Sequence, residues 1–516
     1  MINLILNKTK TKASLVGLLL VFGMVCFGQQ SVFKAPVRNV LSAQSIVEHK
    51  GYYYSIGQYG DLDVGRYGLK LLKIDSLGAV IAERKIVDSN LTIYPPNHIS
   101  IEKTYDGNFI TVMSKGSTSV INSALIFDVN LDTVALYTPI NDGVTRVFEQ
   151  VKQLPDSGFV ATGFYYDQPK NMYHANLIRL DKNGQLLWEK IYKEPDTISL
   201  YPRQVYLTPD GGFLMAGQKV YLADFQTADA LLIRVDGQGN ELWRKSYGGS
   251  MEDGMASAAY RDDGKIIVSY SQETHPLQQG HSYAPVLSII DDQTGQELQK
   301  KLYQFLSYRN NILYNLLKSG NKFIATGRFT QETPVLVGGA THGYTLAVDE
   351  NLNDLWFRNY NPQGALARPD EDAALYDLRP TPDGGYIASG YIVIFDTTHI
   401  NSNLGYNGWI VKMDSMGCVE QSTCINRIGV EEQPVVQEEG FSVFPNPSRS
   451  YFKVVTNSGL DGKAILYDLK GVKIIETDLV KGVGILNPPP GVAAGMYVIR
   501  AMDSLGNGAS KKVILE

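Results

Sequence analysis

The chain has 516 residues, 44% of them hydrophobic and 19% charged, with a formal net charge of −6. That length exceeds one ordinary core, so two or more domains or a repeat array are expected. With no long basic run beyond the extreme N-terminus, nucleic acid is not expected as a partner.

The first 28 residues read as a cleavable export signal. Lys8, Lys10 and Lys12 precede the apolar run ASLVGLLLVFGMVCFG (13–28), and Cys26 and Gly28 stand at the −3 and −1 positions of a cut before Gln29. The apolar run is short for a spanning helix, which needs about 20 residues. Val25 is a poor fit to the small residue that precedes a lipidated cysteine, so simple cleavage is expected over lipidation at Cys26. No later segment is apolar enough to span a membrane, and the mature chain is expected to be exported without a transmembrane segment.

From residue 46 onward one phrase keeps returning. PDSGFVATG (155–163), PDGGFLMAG (209–217) and PDGGYIASG (382–390) are near copies, and looser ones begin at 46, 102, 259 and 316. The fuller copies continue as NLIRLDKNGQLLWEKIY (176–192) and ALLIRVDGQGNELWRKSY (230–247). Seven units result, spaced about 50 to 63 residues apart, which is the span of a propeller blade.

Each piece has a physical reading. The Asp-Gly and Gly-Gly pairs sit between apolar stretches, where a hairpin turn needs a positive φ that Gly adopts cheaply. FLMAG and FVATG are short strands, and DKNG and DGQG are second turns before a closing strand. Ile178, Leu180, Ile233 and Val235 alternate with Arg179 and Arg234, which predicts one dry and one wetter face. About four strands per repeat follow, with the 31 Tyr, 18 Phe and 49 Gly favouring strands and turns over helices.

Seven such units cannot each bury both faces alone, so they are expected to stack as a seven-bladed β-propeller over 29–424. Trp188, Trp243 and Trp356 recur at one place in their repeats, each with a tyrosine four residues on (Tyr192, Tyr247, Tyr360), and are expected to pack between blades. The seventh repeat lacks an LLW-type closing strand, and the segment around Val32–Val40 is expected to complete that blade. The repeats resemble a family common in exported proteins of Bacteroidetes-type bacteria, most fully at LWRKSYGGSMEDGMASAAYRDDG (242–264) and partly at WIVKMDSMG (409–417). Repeats two, five and six depart from its pattern.

Cys418 and Cys424 stand close together in GCVEQSTC. In an oxidising compartment a disulfide is the default for such a pair, half a metal site being the alternative. The acidic, Pro-containing stretch 425–440 then reads as a linker. Residues 441–516 form a run of short strands with turns about every ten residues, which suggests a small immunoglobulin-like antiparallel β-sandwich. Its landmarks are Phe444-Pro445-Asn446-Pro447, then ILYDLKGVKI, Gly495-Met496-Tyr497-Val498 and the terminal Lys511-Lys512-Val513-Ile514-Leu515. In that order the segment resembles the type A C-terminal sorting domain of the type IX secretion system. The resemblance implies Sec export, recognition of the tail by an outer-membrane translocon, removal by a sorting protease, and a protein released or held at the cell surface.

Chemistry is harder to find. His49, His98, His174, His275, His281, His342 and His399 form no metal-ligand spacing, and no G-x-S-x-G elbow appears. DGQGNE (236–241), DDQTGQE (291–297) and SMEDG (250–254) offer oxygens that could suit calcium, although Asp is also a common turn residue. IIDDQTGQELQKKLY (289–303) resembles a blade motif of quinone-cofactor dehydrogenases, with Gln299 where tryptophan would stand. No catalytic, cofactor or metal residue is assigned. A glycan- or protein-binding module is the expectation, against a polymer-degrading hydrolase or lyase with its site in the channel, a quinoprotein, or a surface scaffold.

Overall fold

A computed structural model of the chain describes residues 32–516 apart from 38–39, 62–65, 89, 97–99, 117–119, 223–226, 250–251, 278–279, 304–307, 332–339, 361–371, 395–404, 420–440, 457–460, 469–471 and 504–507. The signal segment, the linker 425–440, His98, His399 and Cys424 lie outside the described residues. Two compact units divide between Asn426 and Arg427. Both are built of strands. Among the described residues no helix is long and apolar enough to cross a membrane.

Among the described residues the first unit is a propeller-like array of seven antiparallel sheets, six with four strands and one with five. The third sheet is typical, running Arg146–Gln153, Phe159–Asp167, Met172–Leu180 and Leu186–Tyr192 in spatial as well as chain order. The fourth repeats it with Ile198–Leu207, Phe213–Tyr221, Ala228–Val235 and Glu241–Tyr247. In the second sheet two short strands, Thr92–Tyr94 and Glu102–Lys103, share the first position. Among the described residues the seventh sheet has three strands of its own, ending at Gly405–Met413. Phe33–Val37 supplies the fourth, pairing from Phe33 opposite Lys412 to Val37 opposite Gly408, which is the closure expected from the missing last strand.

The recurring phrase is explained by what surrounds its turn. In Thr208-Pro209-Asp210-Gly211-Gly212 the Thr208 hydroxyl donates to Asp210 Oδ1 at 2.5 Å and the Gly211 amide to the Thr208 carbonyl at 3.0 Å. Gly211 sits at φ +83°, the left-handed region that favours glycine. Gly212 serves a different purpose: a Cβ there would meet both the Val235 carbonyl and Arg234 Nη1. The Arg234 guanidinium wraps back onto that carbonyl at 2.6 Å and pairs with Asp210 at 2.6 Å. Gly158 with Arg179 and Asp156, and Gly385 with Lys412 and Asp383, repeat the arrangement. The Thr208 hydroxyl and, after it, Arg234 hold the Asp210 carboxyl down to about 2.

This corrects one expectation. Arg179 and Arg234 do not face water: they are 8% and 1% exposed, because the side of the strand they occupy is covered by the next sheet. Their charge is met inside the fold by the turn carboxylates, and for Arg234 also by Asp292 of the fifth sheet at 3.0 Å.

In three closing strands a tryptophan and a tyrosine reach the neighbouring sheet. Tyr192, Tyr247 and Tyr360 donate to the carbonyls of Gly239, Gly295 and Gly417, each at 2.8 Å. These glycines form the second turn of the next sheet, and a Cβ on each would strike Trp188, Trp243 or Trp356. Trp243 Nε1 also donates to the Asp292 carbonyl at 2.7 Å. One core accordingly joins Trp243 and Tyr247 of the fourth sheet to Ala256, Ala258 and Ile266 of the fifth segment. Buried aliphatic and aromatic side chains of this kind contribute about 1.5–3 kcal/mol each.

The second unit packs a three-stranded sheet, Phe441–Phe444, Phe452–Thr456 and Val483–Leu486, against a four-stranded one. The latter orders Lys473–Leu479, Gly462–Tyr467, Gly495–Asp503 and Gly508–Leu515. Phe452, Val454 and Leu486 of the first meet Leu466, Ile499 and Val513 of the second in one core.

Candidate functional site: a cavity where the first strands meet

The first strands of six sheets, and in the second sheet the stretch just before Glu102–Lys103, place one polar residue each in a corresponding position: Ser45, Ser100, Gln150, Gln204, Ser257, Asn315 and Asp377, all buried. In the five of these strands that begin at Ser42, Arg146, Ile198, Tyr308 and Ala373, a β-bulge precedes that residue and turns it inward. Burial obliges these groups to find partners. They find them on the adjacent sheet. Asp377 accepts from Ser45 Oγ at 2.6 Å and from the Ile46 amide at 3.2 Å. Ser45 Oγ in turn accepts the Ile101 amide at 3.2 Å, Gln150 Oε1 the Val205 amide at 2.7 Å, and Ser257 Oγ the Leu316 amide at 3.0 Å. Asn315 Nδ2 donates back to Asp377 Oδ1 at 3.0 Å. The second and third sheets are joined by Asn122 Oδ1 and the Phe148 amide at 3.1 Å. Asp377 also receives the Leu378 amide at 2.8 Å and Arg379 Nε at 3.0 Å, so one buried carboxylate gathers donors from three sheets.

On the turn side of this polar ring lies a cavity of about 330 Å³, lined from six sheets by residues that include Glu102, Lys152, Tyr206, Tyr260, Lys318 and Arg379. Glu102 and Asp377 pair with Lys152 and Arg379, while Lys318 pairs outward with the exposed Asp262. Glu102 Oε1 receives Lys152 Nζ at 2.9 Å and Arg379 Nη1 at 3.4 Å, and Arg379 also bonds the Ile101 carbonyl at 3.3 Å. Burial works to raise the Glu102 carboxyl, but Arg379 and Lys152 outweigh it and hold the group below its ordinary range. Glu102 is therefore an ionised acceptor at neutral pH and not a proton donor. Burial pushes the Tyr206 hydroxyl up to about 12; it accepts the Ala258 amide at 3.0 Å. The cavity thus offers hydroxyl, amide and compensated ionic groups with no free charge of either sign on Glu102, Lys152 or Arg379.

The polar ring was missed in the sequence, although a signal for it exists. Ser100, Gln150, Gln204, Ser257 and Asp377 each stand six residues before the turn aspartate of their repeat, Asp106, Asp156, Asp210, Asp263 and Asp383.

The residues singled out from sequence fall elsewhere. Cys418 is disulfide-bonded, and Cys424 lies outside the described residues. The oxygens considered for calcium are engaged in their own turns: Asp236 accepts the Gln238 and Asn240 amides at 2.9 and 2.8 Å, and Asp291 those of Gln293 and Thr294. Asp253 accepts the Gly249 amide at 2.5 Å and the Glu273 amide at 3.0 Å. Among the described residues no three His, Cys, Asp or Glu side chains converge as metal ligands. Gln299, in the tryptophan-like place, donates to the Asn351 carbonyl at 3.2 Å.

In the tail, two motifs distant in sequence come together. Asn446 Oδ1 accepts the Ile514 amide at 2.9 Å and its Nδ2 donates to the Lys512 carbonyl at 3.4 Å. Phe444 and Met496 are exposed, Tyr497 enters the core, and Lys511 and Lys512 lie on the terminal strand opposite Ile499 and Val498. Pro445, Pro447 and Gly495 flank these contacts on exposed backbone.

No protein-family model matches the chain, and no curated protein matches it in sequence. Among solved structures it is similar to an apocarotenoid oxygenase/RPE65 chimera, at 14% identity and a TM-score of 0.39 over 76% of this chain and 95% of that one. It is similar to the polysaccharide lyase Uly1 at 9% identity and a TM-score of 0.41, over 72% and 90%. The plexin A4 extracellular region gives 8% identity and a TM-score of 0.42, over 94% and 67%.

Proposed function

We propose that the chain is a seven-bladed β-propeller joined to an immunoglobulin-like type IX sorting tail, exported through Sec and delivered to the cell surface or the medium. There the propeller binds a glycan or a protein without transforming it. The observation that carries the binding reading is the cavity where six sheets meet: Glu102 and Asp377 together offset Lys152 and Arg379, leaving polar contact groups and an ionised, fully engaged carboxylate. The sorting reading is supported by the second unit, which holds Phe444-Pro445-Asn446-Pro447 and the terminal strand in one place. Its partners on this reading are the outer-membrane translocon and the sorting protease.

Fractionation of cells making the full chain or a chain truncated after Gly440 tests the address. Retention of the truncated protein in the periplasm supports the sorting role; equal surface delivery of both overturns it.

A hydrolase or lyase is the second reading, and one observation favours it. Burial raises the Asp253 carboxyl to about 6, and the Glu252 amide beside it bonds Glu273 Oε2 at 3.0 Å. Both Asp253 oxygens are already engaged by backbone amides, which suits a structural role better. Release of reducing ends from polysaccharide by the native chain, lost in Asp253→Asn, would establish the enzyme.

A further inference from the structure

The end of the sheets opposite the recurring turns carries an aromatic cluster that the cores do not use. Phe164, Tyr166 and Tyr173 lie on the hairpin between the second and third strands of the third sheet, and Tyr201 near the start of the fourth. Their rings are contiguous. Phe164 stands edge-on to Tyr173 and Tyr201 at 5.2 and 5.3 Å between centroids, and Tyr173 lies 4.9 Å from Tyr166 and 5.1 Å from Tyr201. All four are half-buried. The hydrophobic cores on either side of the third sheet are built from other residues, such as Phe148, Val151 and Phe159 on one side and Leu177, Leu200 and Val205 on the other.

The cluster is not needed to fasten the hairpin. The Tyr173 amide donates to Ser199 Oγ at 3.0 Å, and Lys170 pairs with Asp196 at 2.6 Å, so the hairpin is already tied to the strand that follows. A contiguous half-exposed aromatic patch outside the cores is a usual mark of an interaction site. Its chemistry narrows the partner. Three of the four rings carry a hydroxyl, and beside them Arg203 lies 5.8 Å from the Phe164 ring centre and 2.5 Å from Glu149 Oε1. Half-exposed rings with hydroxyls at their edges and a guanidinium beside them match the alternating C–H and O–H surfaces of a sugar ring. Both ion pairs at the cluster, Arg203–Glu149 and Lys170–Asp196, are balanced, which favours a ligand without charge.

We infer that Phe164, Tyr166, Tyr173 and Tyr201 form a binding platform for an uncharged pyranose oligosaccharide, with Arg203, held from behind by the buried Glu149, donating to its hydroxyls. This rests on the reading of the propeller as a binding module, names its ligand class, and adds a contact surface at the end of the sheets away from the cavity.

The test is affinity electrophoresis of the full chain in native gels containing mixed-linkage β-glucan, galactomannan or, as an anionic comparison, polygalacturonate. At least one neutral polymer retards the protein. Tyr173→Ala and Tyr201→Ala each weaken that binding about tenfold, while Tyr173→Phe, which keeps the ring, stays within about threefold. Unfolding midpoints of all variants are measured alongside, and unchanged midpoints assign the loss to the platform. Retardation that survives both alanine variants overturns the platform and leaves the binding reading standing on the cavity. Retardation by polygalacturonate alone overturns the uncharged class. No retardation by any polymer overturns the saccharide proposal, and a protein ligand captured by the same chain would keep the broader binding reading.

Discussion

Ser45 Oγ donates to Asp377 Oδ2 across 2.6 Å, joining residues 332 positions apart and tying the first sheet to the seventh. The same carboxylate receives Asn315 of the sixth sheet and Arg379 of its own. Asp377→Ala leaves Arg379 Nε, Ser45 Oγ, Asn315 Nδ2 and the Ile46 and Leu378 amides without this buried acceptor. A loss of about 3–5 kcal/mol in unfolding free energy is expected, against about 1 kcal/mol for Ser45→Ala. Denaturant unfolding of the two variants measures the difference, and equal losses would show that Asp377 is not the hub.

The two glycines of the recurring turn are predicted to fail for different reasons. Gly211 needs its positive φ and has open space around its Cβ position, so Gly211→Asn should retain most of the stability. Gly212 lacks space, because the Val235 carbonyl and Arg234 Nη1 stand where a Cβ would go. Gly212→Ala should cost about 1–3 kcal/mol, and Gly212→Asn no less. Thermal unfolding of the four variants, including Gly211→Ala, separates backbone strain from overpacking.

His342 should make the fold sensitive to mild acid. The ring is buried beside Phe329, neither nitrogen has a hydrogen-bond partner among the described residues, and burial lowers its pKa below 6.5. The unfolded chain takes up a proton below pH 6.5 that the folded chain refuses. Stability is therefore lost as pH falls below 6.5, by up to about 1.4 kcal/mol per unit. Asp253 acts in the opposite sense: its folded value of about 6 lies above the ordinary one, so its contribution grows as pH falls through 6. The His342→Leu variant, measured from pH 7.5 to 5, should lose the acid-labile component; an unchanged pH profile would refute the role.

Asn446 is predicted to shield the last strand. Its side-chain amide satisfies the Ile514 amide and the Lys512 carbonyl on the outer edge of Gly508–Leu515. Asn446→Ala should cost the second unit about 1 kcal/mol and speed hydrogen exchange at Ile514 about tenfold or more. Exchange at Val513, which points into the core from the same strand, provides the comparison.

Much of the architecture was legible because it repeats. The turn residues Asp210 and Gly211, and the pair Trp243 and Tyr247, recur with their neighbours at constant spacing, and each answers a local need for positive φ or flat apolar area. Even the second glycine of the turn carried a readable partner: Gly158, Gly212 and Gly385 occur where the third strand holds Arg179, Arg234 or Lys412. The alternation of Arg234 with Ile233 and Val235 misled, since period two shows that a strand has two faces but not that a neighbouring sheet covers both.

The candidate sites were less legible. Glu102, Lys152 and Arg379 come from three sheets, and Arg379 meets Glu102 across a separation of 277 residues. Tyr201 joins Phe164 and Tyr173 only because the third and fourth sheets lie side by side. By itself the sequence determined the strands, the turns that punctuate them, the need for a strand from the N-terminal side to finish the seventh sheet, and the change of text after Cys424. Those features depend on interactions within a repeat. Which carboxylate is buried and paired, where the cavity lies and which aromatic rings share a surface were decided by the tertiary structure alone, because each depends on side chains that the chain brings together only by closing.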